Sequence, residues 1–253
     1  MSPLTEPTKL TLAKGQPVPN DPYLYTNTVL LLHGDGANGS TNIVDSSRVA
    51  GSPTIVTPVG DAQISTAVAD PFGNSTRGVL AFDGLGTPRD RLTIPTDTAS
   101  LQFGAGDFTI ECWIYRLNTD TAAIIVGQSD LLTIAGSAWV FYVSSSATSE
   151  IYAGSARYSV ASPNPSINTW AHIALSRSGG TLRSFLNGTV VGTNTNLGAS
   201  TVNIGATTYP NTIGSFGNNT NALTGYIDEL RITKGVARYT SNFTPPTAPF
   251  PDF

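Results

Sequence analysis

Two adjacent carboxylates, Asp228 and Glu229, lie in the stretch GYIDELRIT, whose pattern is otherwise typical of a β-strand. Successive side chains of a regular strand point to opposite faces, so the sequence predicts that the two acids cannot act as a pair. Asp228 shares the more apolar row with Tyr226, Leu230 and Ile232. A buried carboxylate is costly unless something pairs with it. We therefore expect a partner for Asp228.

The glutamates limit hydrolytic chemistry. The chain contains four, Glu6, Glu111, Glu150 and Glu229, and no strand carries two of them. A retaining glycosidase needs two carboxyl groups about 5 to 5.5 Å apart across one glycosidic bond. The sequence therefore predicts no retaining pair. An inverting pair drawn from separate strands, Glu111 with Glu229, is the alternative that stays open.

The chain also has few residues that could serve a nucleophilic mechanism or bind a soft metal ion. His33 and His172 are the only histidines, and no Gly-x-Ser-x-Gly turn accompanies them, so serine-type nucleophilic catalysis is not predicted. We expect His172 to be a packed, hydrogen-bonded residue and His33 to end a strand before a turn. The single cysteine, Cys112, excludes an internal disulfide and leaves too few ligands for zinc.

The composition of the 253-residue chain narrows the class of protein. Only 12% of residues are charged, and the net charge of −4 provides no basic stripe for a nucleic-acid backbone. The first 25 residues lack the apolar core of a signal peptide, and no stretch approaches the length that spans a bilayer. We therefore expect no nucleic-acid partner, no membrane insertion and no signal peptide.

Short apolar runs recur along the chain between turn signals rich in Gly, Pro, Asn and Ser, and helical periodicity is almost absent. This pattern predicts an all-β, antiparallel two-sheet jelly-roll sandwich. We expect an extended N-terminal arm over residues 1–28, the jelly-roll domain over 29–240 and a Pro-rich tail over 241–253. The Asn187-Gly188 pair predicts a tight hairpin that spans about Thr181 to Thr193.

Five stretches occur in an informative order: GVLAFDGLGTPRDRLTIP, GDFTIECWIY, INTWAHIALSRSGGTLRSFLNGTVVG, NTIGSF and LTGYIDELRI. This order resembles laminin-G-like, concanavalin A-like jelly-roll domains from residue 29 to about 240. The segments LLLHGDGANGSTNIVDSS and TKGVARYTSNFTPPTAPFP resemble variants in bacteriophage tail and surface proteins. The resemblance implies a sandwich that usually serves as a binding or structural module, with a minority of relatives that cleave glycans.

The resemblance also implies a metal. Relatives of this fold hold a structural calcium ion through an aspartate near the last strand and oxygens from the exit loop of the first strand. The matching positions are Asp35 and Asp228, with Asp45 close along the chain. The alternative is that Asp228 accepts backbone N–H groups or pairs with Arg231 or Arg183.

A second candidate site lies in FTIECWIY. Thr109, Glu111, Trp113 and Tyr115 form one row of this predicted strand, and an acid with an indole and a phenol is typical of a carbohydrate-binding face. Tyr142 is a further candidate sugar contact. The alternative is that Trp113 packs in the core, as large aromatic residues of sandwiches usually do.

These observations favour a non-enzymatic structural protein of a virus particle, either a capsid decoration or a tail component. Its expected location is the virion, and its expected partners are other virion proteins, contacted through the arm, and host surface glycans, with oligomers in the assembly. A carbohydrate-binding adhesion module is the alternative, and a glycan-cleaving enzyme is the third hypothesis.

Overall fold

The computed structural model describes residues 24–47, 55–95, 99–119, 122–128, 139–145, 148–153, 156–202 and 210–251. The predicted N-terminal arm lies outside the described residues as far as residue 23. Its last residues form a four-residue helix, α1 (Leu24–Asn27), and the first strand begins at Thr28. No helix in these described ranges is long and apolar enough to cross a membrane.

Fifteen strands and one 3₁₀ turn (Ala99–Leu101) follow α1 in the described part of the chain. The first eight strands are β1 (Thr28–Leu32), β2 (Thr57–Val59), β3 (Gln63–Ser65), β4 (Val79–Phe82), β5 (Arg91–Ile94), β6 (Phe108–Arg116), β7 (Ala123–Gln128) and β8 (Trp139–Val143). The others are β9 (Thr148–Ala153), β10 (Ala156–Ala161), β11 (Trp170–Ser178), β12 (Thr181–Leu186), β13 (Thr189–Asn194), β14 (Asn211–Ile213) and β15 (Gly225–Lys234).

The described strands form two antiparallel sheets. Sheet A has eight strands in the order β13-β12-β11-β6-β15-β4-β3, and β1 also pairs with β15. Sheet B has seven strands in the order β10-β9-β8-β7-β14-β5-β2. The predicted all-β, two-sheet sandwich is confirmed.

One hydrophobic core lies between the sheets, and β6 shows how the sequence builds it. Phe108, Ile110, Cys112 and Ile114 are buried in this core, as the alternation of β6 predicts. The intervening residues of β6 therefore lie on the outer face of sheet A. Buried side chains of β5, β7 and β8 complete the core from sheet B.

The Asn-Gly hairpin is confirmed. β12 and β13 flank Asn187 and Gly188, whose φ angles are 48° and 77°. Both residues therefore adopt the left-handed conformation that a tight hairpin turn requires. Asn187 Oδ1 also accepts a 2.9 Å hydrogen bond from His172 N.

β15 contains a bulge that the sequence pattern did not predict. Its pairing with β6 is regular up to Asp228 and resumes at Arg231, and Glu229 has a φ of 52°. The extra residue shifts the alternation, so Ile227 and Leu230 both lie in the core. The prediction that the two adjacent acids lie on opposite faces is wrong, because it assumed a regular pleat.

The chain after β15, residues 236–251, crosses the outer face of sheet A and is called the tail below; it includes residues 241–251 of the predicted Pro-rich tail. Phe243 N donates to Gly188 O at 2.9 Å, and the Phe243 ring stacks on Tyr239. Further along, Phe250 is 6% exposed, and the guanidinium of Arg231 lies 3.6 Å from the centre of its ring. The tail therefore covers part of a sheet face that would otherwise meet solvent.

A second segment, residues 66–77, covers another part of the same face. Phe72 packs edge-on against Trp113, with their ring centres 5.9 Å apart. Trp170 Nε1 donates to Ala69 O at 2.8 Å. Residues 66–77 therefore cover the part of sheet A that carries Trp113 and Trp170.

Candidate functional site

A buried charged cluster surrounds Glu111 on the outer face of sheet A. Arg231 lies opposite Glu111 in the β6–β15 register and places Nε and Nη2 at 2.9 and 2.8 Å from Oε1. His172 Nε2 lies 3.2 Å from Oε2, and the Tyr239 hydroxyl of the tail donates to the same oxygen at 2.6 Å. Arg238 adds a second positive charge at 3.8 Å. Glu111 therefore joins three strands to the tail.

The electrostatics of this cluster favour an ionised Glu111. Burial alone would raise the pKa of Glu111, but Arg231, His172 and Arg238 outweigh that effect and hold the pKa well below its ordinary value. Burial and the negative charge of Glu111 raise the pKa of Tyr239 well above its ordinary value, so its hydroxyl keeps the proton that it donates. The cluster is therefore a structural ion pair network, in which each donor faces a charged acceptor.

Glu229 forms a neighbouring cluster at the β15 bulge. Its carboxylate lies 2.9 and 3.0 Å from His33 Nδ1 and 3.5 Å from Arg77 Nη2. Glu229 Oε2 also accepts a 2.7 Å hydrogen bond from Phe250 N. The bulge thus turns the Glu229 carboxylate towards the tail, where it fixes the position of Phe250.

Asp228 is 1% exposed and accepts a 3.0 Å hydrogen bond from Glu229 N. Burial and the charge of Glu229 raise the pKa of Asp228 to about 9, and the hydrogen bond from Glu229 N and the charge of Arg77 offset this only in part. Asp228 is therefore neutral at pH 7. Arg231 is not its partner, because the register places Arg231 opposite Glu111.

The three candidate calcium ligands are each engaged by protein groups. Asp35 accepts hydrogen bonds from Arg77 Nε and Nη2 at 2.8 and 2.6 Å. Asp45 accepts from Leu31 N at 3.0 Å and from Ser47 N at 2.9 Å, so it satisfies the free edge of β1. Asp228 is the buried neutral carboxyl at the bulge.

The donor set does not fit a shared calcium site as it stands. Within the described ranges, no group of three or more His, Cys, Asp or Glu side chains is arranged to hold a metal ion. The predicted ligands Asp35 and Asp45 serve an arginine and a strand edge instead. Calcium binding by this chain stays a prediction from the resemblance.

The candidate sugar contacts of the sequence are dispersed. Glu111 is 0% exposed, so its assignment to a wet sugar-binding face is wrong: the tail and two arginines enclose it. Trp113 and Tyr115 are half-buried on the same face, and Tyr115 packs edge-on against Trp170. Tyr142 belongs to sheet B and is 4% exposed. The structure does not bring these four residues together as one surface.

A different part of the molecule carries an open cleft of about 450 Å³. Its walls come from three parts of the chain: Gly84, Leu85 and Arg89; Asn118 and Ala122; and residues 219–222 with Thr224. Its polar side chains are amides, hydroxyls and one guanidinium: Arg89, Asn118, Asn219, Thr220, Asn221 and Thr224. Leu85, which is 65% exposed, adds an apolar contact surface. We call this cavity the loop-end cleft.

Backbone hydrogen bonds hold the loops of the cleft together. Leu117 N donates to Thr224 O at 2.9 Å, and Ile124 N donates to Asn221 O at 3.0 Å. Asn219 and Asn221 have φ angles of 64° and 51°, a conformation that asparagine tolerates better than most residues. The amides therefore lie on a loop whose path is set by local conformation and by bonds to the neighbouring strands.

The sequence pattern alone does not predict this cleft. Its signal is the stretch GNNTNALTG, residues 217–225, in which three asparagines precede the last strand. That composition predicts a turn, but the turn also bonds to distant positions, such as Arg89, which is 130 residues from Asn219. Local patterns do not show which distant loops will surround it.

A model of the concanavalin A-like lectin/glucanases superfamily matches residues 86–238. The chain belongs to this superfamily. The matched residues include β6, β11 and the β12–β13 hairpin, and most of the loop-end cleft. Comparison with curated protein sequences gives no match.

Solved structures of this lectin-like fold are similar over most of the chain. The binding domain of Paraclostridial Mosquitocidal Protein 1 superposes with a TM-score of 0.58 at 17% identity, over 83% of this chain and 49% of that one. A structure of botulinum neurotoxin type C, whose cell entry depends on interaction with two ganglioside molecules, superposes with a TM-score of 0.58 at 15% identity, over 83% of this chain and 48% of that one. This chain spans about half the length of each of these two similar chains.

Another similar structure is a single domain, and the superposition covers almost all of its length. Domain 4 of AbnA, a GH43 extracellular arabinanase from Geobacillus stearothermophilus, was solved in complex with arabinotriose. It superposes with a TM-score of 0.55 at 14% identity, over 83% of this chain and 95% of that one. At such identities the likeness establishes the fold, here a lectin-like jelly roll.

Proposed function

We propose that this lectin-like domain is a non-catalytic glycan-binding module and that the loop-end cleft is its binding site. The observation that carries the proposal is the lining of the cleft. Amide and hydroxyl side chains are the groups that pair with sugar hydroxyls, and a few such groups beside an apolar surface are typical of small-ligand sites. The exposed Leu85 offers that apolar surface.

The similar structures support the choice of ligand class. One of them holds arabinotriose, and the description of another names ganglioside molecules. Both ligands are carbohydrates or carry them. Because those proteins share only the fold with this chain, the ligand class enters here as a proposal.

The positions of the glutamates support a non-catalytic role. Glu111 and Glu229, the inverting pair left open by the sequence, are both 0% exposed and engaged by arginines, histidines or the tail. Glu150 is 8% exposed and forms an ion pair with Arg157. Glu6 lies outside the described residues. The described residues therefore offer no pair of accessible glutamates for glycan cleavage.

The virion role rests on the sequence resemblance. Attachment to a particle through residues 1–28, with other virion proteins as partners and oligomers in the assembly, stays a prediction. Glycan binding by the cleft is compatible with it, since a particle-borne module can carry a sugar site. Deletion of residues 1–28 followed by a particle incorporation assay tests the attachment separately from sugar binding.

Filling the cleft tests the proposed function. Ala222 lines the cleft, so Ala222→Trp places an indole in the space proposed for the sugar. Val191, on β13, is 40% exposed and is absent from the cleft lining, so Val191→Trp is the matched control. The full-length protein and both variants are applied to a glycan array that includes arabinotriose and ganglioside oligosaccharides, and hits are titrated.

We expect the wild type and Val191→Trp to bind the same glycans. Ala222→Trp should weaken binding more than tenfold while its melting temperature stays close to that of the wild type. Equal glycan binding by the two tryptophan variants would show that sugars bind elsewhere. Absence of glycan binding by the wild type would overturn the proposed function itself.

A further inference from the structure

Two arginines converge on one amide oxygen at the loop-end cleft. Asn219 Oδ1 accepts hydrogen bonds from Arg89 N at 3.1 Å and from Arg91 Nη1 at 2.8 Å. Arg91 Nη1 also donates to Arg89 O at 3.2 Å. The guanidinium of Arg89 lines the cleft and donates from Nη1 to Gly84 O, whereas Arg91 lies behind Asn219.

Neither arginine has a carboxylate partner among the described residues. By contrast, the described residues Arg77, Arg157, Arg231 and Arg238 each lie within 4.0 Å of an acid. The acid between the two arginines in sequence, Asp90, points elsewhere, because its carboxyl accepts hydrogen bonds from Asp61 N and Asp83 N. A chain with a net charge of −4 thus places one guanidinium without a carboxylate partner in the lining of its cleft, that of Arg89, and a second, that of Arg91, within hydrogen-bond distance of the cleft residue Asn219.

The second arginine is also incompletely hydrogen-bonded. Arg91 Nε is buried and has no hydrogen-bond partner. Burial lowers the pKa of Arg91, and no nearby acid offsets that effect. A buried donor without an acceptor is costly, but Arg91 is not one of the residues that line the cleft, so what it contributes there is its positive charge.

We propose that the loop-end cleft binds glycans that carry an anionic group, a carboxylate or a sulfate, and that Arg89 contacts this group. The inference rests on the proposed function and adds the class of glycan. A guanidinium presents paired N–H groups that match two oxygens of a carboxylate or sulfate. The bond to Gly84 O and the Asn219 amide hold Arg89 in place, and the positive charge of Arg91 adds to the potential that attracts the anion.

The experiment compares matched glycans on the full-length protein. Titrations monitored by NMR measure binding of 3′-sialyllactose, 3′-sulfated lactose and lactose, and of trigalacturonic acid and its carboxyl-reduced form. The variants are Arg89→Gln, Arg89→Lys and the control Arg157→Gln. Arg157 is a suitable control because it lies on β10 and pairs with Glu150, outside the cleft lining. The wild type is also titrated at increasing salt concentrations, a measurement that does not depend on whether any variant folds.

We expect at least one acidic glycan to bind the wild type tenfold or more tightly than its neutral counterpart, with the preference falling as salt increases. Arg89→Gln should lose about 10-fold to 100-fold in affinity for the acidic member and little for the neutral one, because a hydrogen bond to a charged group is lost. Arg89→Lys should retain part of the preference, and Arg157→Gln all of it. Comparison of 3′-sialyllactose with 3′-sulfated lactose shows whether the cleft prefers a carboxylate or a sulfate.

Equal affinity for the acidic and neutral members of each pair would overturn the inference and leave the proposed function intact. A preference for acidic glycans that persists in Arg89→Gln would also overturn it, since the anion would then bind another residue. If no glycan of either kind binds, the proposed function fails together with the inference. If Arg89→Gln does not fold, the salt dependence and the glycan pairs measured on the wild type decide the question.

Discussion

Replacing Asp228 with asparagine should stabilise the protein at neutral pH. Burial and the neighbouring Glu229 raise the pKa of Asp228 from 3.8 to about 9. Between these two values the folded state binds one proton more than the unfolded state. The free energy of unfolding therefore falls by about 1.4 kcal/mol for each pH unit across this window. An amide of the same shape carries no charge and can still accept the hydrogen bond from Glu229 N.

The size of this stabilisation follows from the pH range over which Asp228 is protonated in the folded state and ionised in the unfolded state. Pure linkage over the three pH units between 4 and 7 amounts to about 4 kcal/mol, an upper limit because relaxation around a charged carboxylate lowers its cost. We expect Asp228→Asn to gain about 2 to 4 kcal/mol over the wild type at pH 7 and almost nothing at pH 4. The difference should grow up to about pH 9, where Asp228 ionises in the folded state.

Urea unfolding followed by tryptophan fluorescence at pH 4.5, 6, 7.5 and 9 measures this difference. Asp61→Asn is the control, because Asp61 is exposed and its substitution should leave the pH profile unchanged. Parallel pH profiles for the wild type and Asp228→Asn would refute the assignment of a neutral buried carboxyl. A loss of stability in Asp228→Asn, together with a lower wild-type melting temperature in chelator, would instead favour the calcium prediction.

Two further predictions concern the clusters that hold sheet A together. Glu111→Gln should lower the free energy of unfolding by about 3 to 5 kcal/mol at pH 7, because the buried guanidinium groups of Arg231 and Arg238 would lose the negative charge of Glu111. Because the pKa of Glu111 is lowered in the folded state, the stability that its charge contributes is present above its ordinary pKa and is lost as the pH falls below that value. In acid titrations the difference in stability between the wild type and the variant should therefore shrink below about pH 4. Asn187→Ala should lower the free energy of unfolding by about 1 to 2.5 kcal/mol, because alanine tolerates the positive φ poorly and cannot accept the hydrogen bond from His172 N. Asn187→Gly should lose only the hydrogen bond, since glycine tolerates the positive φ. Urea unfolding measures both variants, and equal losses of stability would refute the role of φ.

Much of the fold could be predicted from local patterns. The alternation of β6, the turn residues Asn187 and Gly188, and the order of the short strands each depend on neighbouring positions, and the structure has all three. Assignment to the lectin-like superfamily rests on that order of strands and is confirmed by the match over residues 86–238. The phage context of the resemblance stays a prediction.

The candidate sites could not be predicted in the same way. The alternation rule fails at Glu229, because a bulge inserts one residue and local periodicity does not show it. Glu111 was expected on an open face, yet Tyr239 reaches it from 128 positions along the chain. Burial of a strand face depends on which later segments lie over it, and the residue pattern of the strand does not show which segments these are.

The sequence by itself determined which residues alternate between core and surface and where the chain turns, because backbone sterics and side-chain polarity act over a few residues. Only the tertiary structure decided which charges meet. Arg89 and Asn219 are 130 positions apart, and their contact exists because two loops emerge from paired strands at the same end of the sandwich. Electrostatic interactions depend on distance in space, which the fold sets and local sequence does not.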